Sequence, residues 1–113
     1  MIVIRGNPIS VNALYRGRRF LTKEGKAIKE DYAWQTKMHW RTKPTAKRLE
    51  LRIDAYFGSK RIRDIDNIAK AILDAFKGIV WVDDGQVDVL HIYRKYDKEN
   101  PRMEIEVKEL STV

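Results

Sequence analysis

The chain predicts an α+β domain, with helices packed on a mixed or antiparallel sheet, and three observations lead there. Leu49, Leu51, Ile53, Ala55 and Phe57 alternate with Glu50, Arg52, Asp54 and Tyr56, the period-two pattern of a strand with one buried face. Ile65, Ile68, Ala69, Ile72, Leu73 and Phe76 recur in steps of three and four, the period of an amphipathic helix. The elements follow one another as strand, long helix, strand, short helix and further strands.

Met1 to Arg5 alternates as a short strand, and Gly6-Asn7-Pro8 breaks it before an irregular segment that reaches about Leu21. Thr22 suits a helix N-cap, and Lys23 to about Thr42 reads as one long helix, with Gly25 in its first turn and Pro44 beyond its end. Ala27, Trp34 and Met38 form a stripe on it flanked by Ile28 and Tyr32, which places Trp34 in the core and leaves Trp40 exposed. After the 49–57 strand, the second helix spans 64–77 with Gly78 at its C-cap. Ile79-Val80-Trp81-Val82 reads as a short buried strand or extended segment that buries Trp81. Gln86 to Tyr96 and Arg102 to Glu109 read as strands joined as a hairpin through Lys98-Glu99-Asn100-Pro101, and 111–113 as a frayed tail.

At 113 residues with 43% hydrophobic composition, the chain fits one domain, 1–113. It has no cysteine, which excludes disulfides, thiolate zinc sites and cysteine nucleophiles. No apolar run approaches the roughly 18 residues of a membrane span, and the start is too short for a signal peptide, so a cytoplasmic address with no membrane partner is expected. The net charge of +7 is unevenly spread. Residues 1–48 carry 12 Lys/Arg against 3 Asp/Glu, and residues 49–113 carry 11 against 13. A basic half beside an acidic cluster fits a surface that grips phosphates around a metal site, although charge alone fits a solubilising role equally.

The chemistry lies in Arg61-Ile62-Arg63-Asp64-Ile65-Asp66-Asn67-Ile68-Ala69-Lys70, answered by Asp83-Asp84-Gly85-Gln86. Asp66, Lys70 and Asp74 are four apart on the face opposite the apolar stripe, with Asp64 at its edge. Metal-assisted phosphodiester hydrolysis needs carboxylates to hold the ion and positive charge where negative charge grows. Asp64 and Asp66 suit the first role and Lys70 the second. Mg²⁺, a hard ion that takes oxygen ligands, suits the carboxylates. A third ligand must come from elsewhere, and Asp84 is the first candidate, with Asp83 second. Arg61 and Arg63 would meet phosphates entering the site, and Arg16, Arg18 and Arg19 beside Tyr15 would grip backbone. Each has a bland reading: Asp64 as a cap, Asp66, Lys70 and Asp74 as an exposed ion-pair ladder, Asp84-Gly85 as a hairpin turn, the arginines as solvated loops. Their co-occurrence favours the site. His39 and His91 lack ligand spacing.

These residues, in this order, resemble the RusA family of Holliday junction resolvases, small phage- and prophage-type endonucleases. The resemblance rests on Arg63 to Lys70, Asp74-Ala75 and Trp81 to Val87, and more loosely on Pro8, Asn12, Tyr15-Arg16 and Thr22 to Ala27. It implies a homodimer that binds four-way DNA junctions and makes paired, symmetric, Mg²⁺-dependent nicks in recombination and repair. By the resemblance Asp64, Asp66 and Asp84 are the catalytic aspartates and Lys70 the essential lysine. A twofold dimer also matches a junction with paired scissile phosphates. The family start is usually richer in proline than Asn7-Pro8 here. The alternatives are a non-catalytic basic DNA-binding module, which needs no Mg²⁺, and a regulator that binds junctions without cutting.

Overall fold

The computed structural model describes residues 1–8, 15–16, 20–21, 23–60 and 65–110, with the side chains at 15, 16, 20, 21, 24, 66 and 67 outside that description. The elements are β1 (Ile2–Arg5), β2 (Tyr15–Arg16), β3 (Phe20–Leu21), α1 (Lys23–His39), β4 (Leu49–Phe57), α2 (Ile65–Phe76), a 3₁₀ turn (Asp84–Gln86), β5 (Val87–Tyr96) and β6 (Arg102–Glu109). Both helices pack on one four-stranded mixed sheet of order β1-β6-β4-β5, an α+β fold. β2 and β3 form a separate two-stranded ribbon inside the segment expected to be irregular.

The alternation in β4 sets the layers. Leu49, Leu51, Ile53, Ala55 and Phe57 are buried against the helices together with Ile2, Ile4, Met103 and Ile105. Register makes this one face: Ile53 stands beside Ile92 and Ile105, and Ala55 beside Met103. α2 buries Ile68, Ala69, Ala71, Ile72, Ala75 and Phe76, each large apolar side chain contributing about 1.5–3 kcal/mol. Gly78 ends the helix at φ 84, a left-handed conformation that favours glycine.

β5 and β6 do not form the expected hairpin. β4 lies between them, parallel to β5 and antiparallel to β6. This places the most strongly alternating strand at the centre, where neighbours on both sides satisfy its backbone. The 97–101 link crosses the end of β4, where the Asp97 N–H donates to Phe57 O at 2.9 Å. Arg102 fixes that crossing by bonding Asp97 Oδ2 at 2.8 Å and Asn100 O at 2.9 Å while stacking over Tyr56 at 3.9 Å.

α1 differs from expectation in length and face. It ends at His39, with Trp40 N–H on Thr36 O as its last turn, because the approach to Pro44 disfavours helix. Its inward residues are Gly25, Tyr32 and Thr36, with Ile28 and Trp40 against the core, whereas Ala27 is exposed and Trp34 and Met38 are 66% and 54% exposed. Trp34 and Trp40 therefore exchange the places expected for them. The inward stripe is disguised by polar and small residues: the Thr36 hydroxyl donates to Tyr32 O at 2.6 Å and can be buried without loss. Ile79 to Val82 is a turn rather than a strand, tied by Val80 N–H to Phe76 O and Gly78 N–H to Trp81 O. Trp81 is fully buried, as expected.

Candidate active site

α2 presents its inner face to the core and its outer face to solvent. Asp66 lies in its first turn, Lys70 is exposed one turn later, and Asp74 follows at the next. Asp74 is committed elsewhere: Lys29 Nζ of α1 meets its Oδ2 at 2.7 Å, which bridges the two helices. The outer face is thus not a simple ladder of neighbours along α2. Asp64, Arg61, Arg63, Arg18 and Arg19 lie outside the described residues, and Arg16 is described only as part of β2.

The second acidic pair is held by a compact loop. Asp83 caps the 3₁₀ turn, its Oδ2 accepting from Gly85 N–H at 3.0 Å and its Oδ1 facing Lys77 Nζ at 3.5 Å. A Cβ at Gly85 would sit 3.0 Å from that carboxylate, so glycine permits the turn. The Gly85 N–H, then Lys77, hold the Asp83 carboxyl below its ordinary range. Asp84 is placed differently. One oxygen, Oδ1, accepts the indole N–H of buried Trp81 at 2.7 Å, and Oδ2 has no partner among the described residues. Asp83 therefore engages both oxygens within the loop and Asp84 engages one. A half-buried carboxylate oriented by an N–H donor, with an oxygen left over, fits a hard divalent ion.

Gln86 anchors this loop. Its Oε1 accepts from Val82 N–H at 2.9 Å and Asp83 N–H at 2.8 Å, while its Nε2 donates to Thr45 O at 2.8 Å and Lys47 O at 2.9 Å. The amide joins the acidic loop to the segment entering β4. Trp81 adds a packing tie, its ring 5.5 Å from that of Phe76. Sequence reasoning read Trp81 as core and gave Gln86 no role. A buried glutamine beside two aspartates was the available signal.

The loop and the first turn of α2 do not meet within one chain. β4 and β5 are parallel, with Leu49 beside Val87 and Phe57 beside Tyr96, so α2 returns along the sheet between them. Asp66 stands at the end where β4 finishes, and Asp84 at the end where β5 starts. The ten residues from Asp66 to Phe76 span about 15 Å of helix, whereas ligands of one Mg²⁺ each approach it to about 2.1 Å. The sequence expectation that the Asp83-Asp84 loop could return beside the first turn of α2 is corrected on this point. No group of three His, Asp or Glu poised for a metal occurs among the described residues.

Beside the first turn of α2 the sheet carries a basic cleft that sequence reasoning missed. Phe57, Ser59, Lys60, Arg94, Lys95 and Tyr96 line about 260 Å³, and Lys60 Nζ lies 5.7 Å from the Tyr96 ring centre. The signal was the basic pair Arg94-Lys95 falling opposite the end of β4. On the other sheet face, His91 bonds Glu50 at 2.9 Å, a structural pair. No helix of the described residues is long and apolar enough to cross a membrane.

Comparison with known proteins gives this arrangement a family. The model of the Endodeoxyribonuclease RusA family matches residues 3–108. Proteins called crossover junction endodeoxyribonuclease RusA from Escherichia coli K12 and from Enterobacteria phage 82 are each 31% identical over 107 residues, 91% of this chain and 89% of theirs. The Shigella sonnei protein of the same name is 30% identical over the same spans. The chain belongs to the RusA endodeoxyribonuclease family.

Proposed function

We propose that this protein is a Mg²⁺-dependent endonuclease that resolves Holliday junctions, acting as a homodimer with catalytic residues Asp64, Asp66, Lys70 and Asp84. The observation that carries the reading is Asp84, held on one oxygen by a buried indole and left with the other to give, in a member of a nuclease family. The relatives' name supplies the substrate class, the four-way junction.

Asp64, Asp66 and Asp84 would hold the ion, which when bound supplies an activated water and neutralises charge on the phosphate. Lys70, one turn beyond Asp66 and pointing to solvent, faces the charge that grows on the transferred phosphorus and the leaving 3′ oxygen. The bond cleaved is that between phosphorus and the 3′ oxygen, which leaves 5′-phosphate and 3′-hydroxyl ends. Arg61, Arg63, Arg16, Arg18 and Arg19 bind backbone phosphates, joined by Lys60 and Arg94 of the cleft. Because Asp66 and Asp84 occupy opposite ends of α2, each site takes Asp64 and Asp66 from one chain and Asp84 from its partner. A twofold dimer then has two such sites, matched to paired nicks in opposing strands.

The test is an end-labelled four-way junction and a matched linear duplex, with Mg²⁺ or EDTA, using wild type, Asp66→Asn, Asp84→Asn and a mixture of the two variants. Paired nicks in the junction that need Mg²⁺ and vanish in each variant are expected. The mixture should regain nicking in about one site in four, since half the dimers are mixed and each carries one intact site. Nicking that persists in both variants refutes the metal assignment, and a mixture that stays inactive refutes the shared site. Binding without nicks at any Mg²⁺ concentration indicates the DNA-binding module.

A further inference from the structure

The two edges of the sheet are not equivalent. β1 is four residues long and its edge is closed by α1: Arg5 N–H donates to Gln35 Oε1 at 2.7 Å, and Gln35 Nε2 reaches back to Arg5 O. The glutamine amide stands where a further strand would pair. β5 forms the other edge with ten residues, no proline, and a register against β4 that shifts only at its start. Natural edges of this length are normally shortened, bulged or covered. No described strand pairs with the outer side of β5. Val89, Leu90, Tyr93 and Tyr96 are all 37–47% exposed along it, on both faces.

We infer that β5 is the dimer seam: it pairs antiparallel with β5 of a second copy across a twofold axis at His91, making one continuous eight-stranded sheet. This rests on the reading that the active protein is a homodimer with shared sites, and it names the surface. An antiparallel twofold pair places residue i opposite residue j with a constant sum, and the axis at His91 gives the complementary register. Asp88 then faces Arg94 of the partner subunit, opposite charges in direct cross-strand positions, with Arg48 already on the other side of Asp88. Leu90 faces Ile92 of the partner subunit on the helix side of the sheet, and Val89 faces Tyr93 of the partner subunit on the open side. Moving the axis one residue on, to Ile92, sets Leu90 against an arginine and loses the charge pair.

The same pairing answers the separation of Asp66 from Asp84. Antiparallel edges bring the start of one β5 beside the end of the other, so Asp84 comes opposite position 98 of the partner, where the partner's β4 ends and its α2 begins. No other described edge of the sheet offers a reversal that joins these two ends.

The chain has no cysteine, so crosslinking is clean. Val89→Cys/Tyr93→Cys should form a covalent dimer on mild oxidation and each single variant should not. The two positions are about 13 Å apart within one strand, beyond the reach of an internal disulfide. Leu90→Lys/Tyr93→Lys should raise the dimer dissociation constant about 100-fold or more in sedimentation, tenfold for each lysine, with an unchanged circular dichroism spectrum. A monomeric wild-type protein, no crosslink in the double cysteine variant, or a dimer indifferent to the lysines each overturns the inference. Junction nicking by the same preparations separates the two readings. A nicking dimer that does not crosslink leaves the resolvase standing without the β5 seam, and a crosslinked dimer that never nicks does the reverse.

Discussion

Replacing Gln86 with glutamate changes one atom of the group that joins the acidic loop to the start of β4. In the wild type Oε1 accepts two backbone N–H groups and Nε2 donates to two backbone carbonyls. The amide orientation follows from this pattern, since the flipped rotamer would set donors against donors. In Gln86→Glu the first pair survives and the second becomes an anion facing Thr45 O and Lys47 O. Two hydrogen bonds of about 1 kcal/mol each are lost, and repulsion plus two poorly satisfied carbonyls bring the total to about 3–4 kcal/mol at pH 7. Protonation restores one donor, so the introduced carboxyl has a raised pKa when folded. The folded state then binds more protons than the unfolded state, and the deficit grows as pH rises through the window above about 4.3. Urea unfolding at pH 7 and pH 5 reads this as a lower midpoint than wild type at both, with the smaller gap at pH 5. Equal midpoints at pH 7, or a gap that widens on acidification, would refute the role of the amide.

Further outcomes follow from the same contacts. Trp81→Phe keeps a ring against Phe76 and removes the N–H on Asp84, so Mn²⁺ binding followed by electron paramagnetic resonance should weaken about 10-fold or more, as when a ligand loses its orienting partner. Asp74→Asn breaks only a half-exposed bridge to Lys29, and should cost about 0.5 kcal/mol in denaturation and leave junction nicking intact. Lys70→Met should abolish nicking with its urea midpoint unchanged. Burial pushes the Asp54 carboxyl up, but hydrogen bonds from Arg52 and Lys95 prevail and hold it below its ordinary range. That contribution is complete above about pH 4 and is lost as pH falls through the lowered pKa. Asp54→Asn should therefore be about 1 kcal/mol less stable at pH 7 and converge on wild type in acid, read from chemical denaturation across pH.

What the sequence disclosed depended on how locally each feature is encoded. β4 and α2 were legible to the residue because their apolar positions keep an unbroken period, and the burial they show is the burial that the period implies. α1 misled because its inward stripe uses Gly25 and Thr36, while Trp34 and Met38 face solvent. Hydrophobicity is a poor guide where a hydroxyl bonds its own helix. The pairing of β5 and β6 with β4 was illegible for a different reason. Two strands joined by a five-residue link favour a hairpin, and only Asp97 on Phe57 O and the reach of Arg102 reveal that the link crosses the end of β4. Within the candidate site, the roles of Trp81 and Gln86 required the loop's three-dimensional closure, which no spacing rule encodes.

The clustered aspartates carry a more general point about spacing as a warrant. Asp64 and Asp66 are neighbours because the chain makes them so, and Asp84 looks close only when distance is counted along the sequence. A βαβ unit turns that short count into the length of a helix, and puts the two groups at opposite ends of parallel strands. The ends of parallel strands can be joined by a copy that runs the other way. An open β5 edge, a closed β1 edge and an acidic loop held by Trp81 and Gln86 are then parts of one requirement. Half of each site must be rigid before its partner arrives, because a loop that reordered on dimerisation would weaken both association and metal binding. The loop variants and the edge variants should therefore separate in their effects. Gln86→Ala should impair metal binding in an intact dimer, and Leu90→Lys/Tyr93→Lys should impair it only at concentrations where the dimer has dissociated. A metal affinity that is independent of protein concentration in the lysine variant would show that one chain suffices.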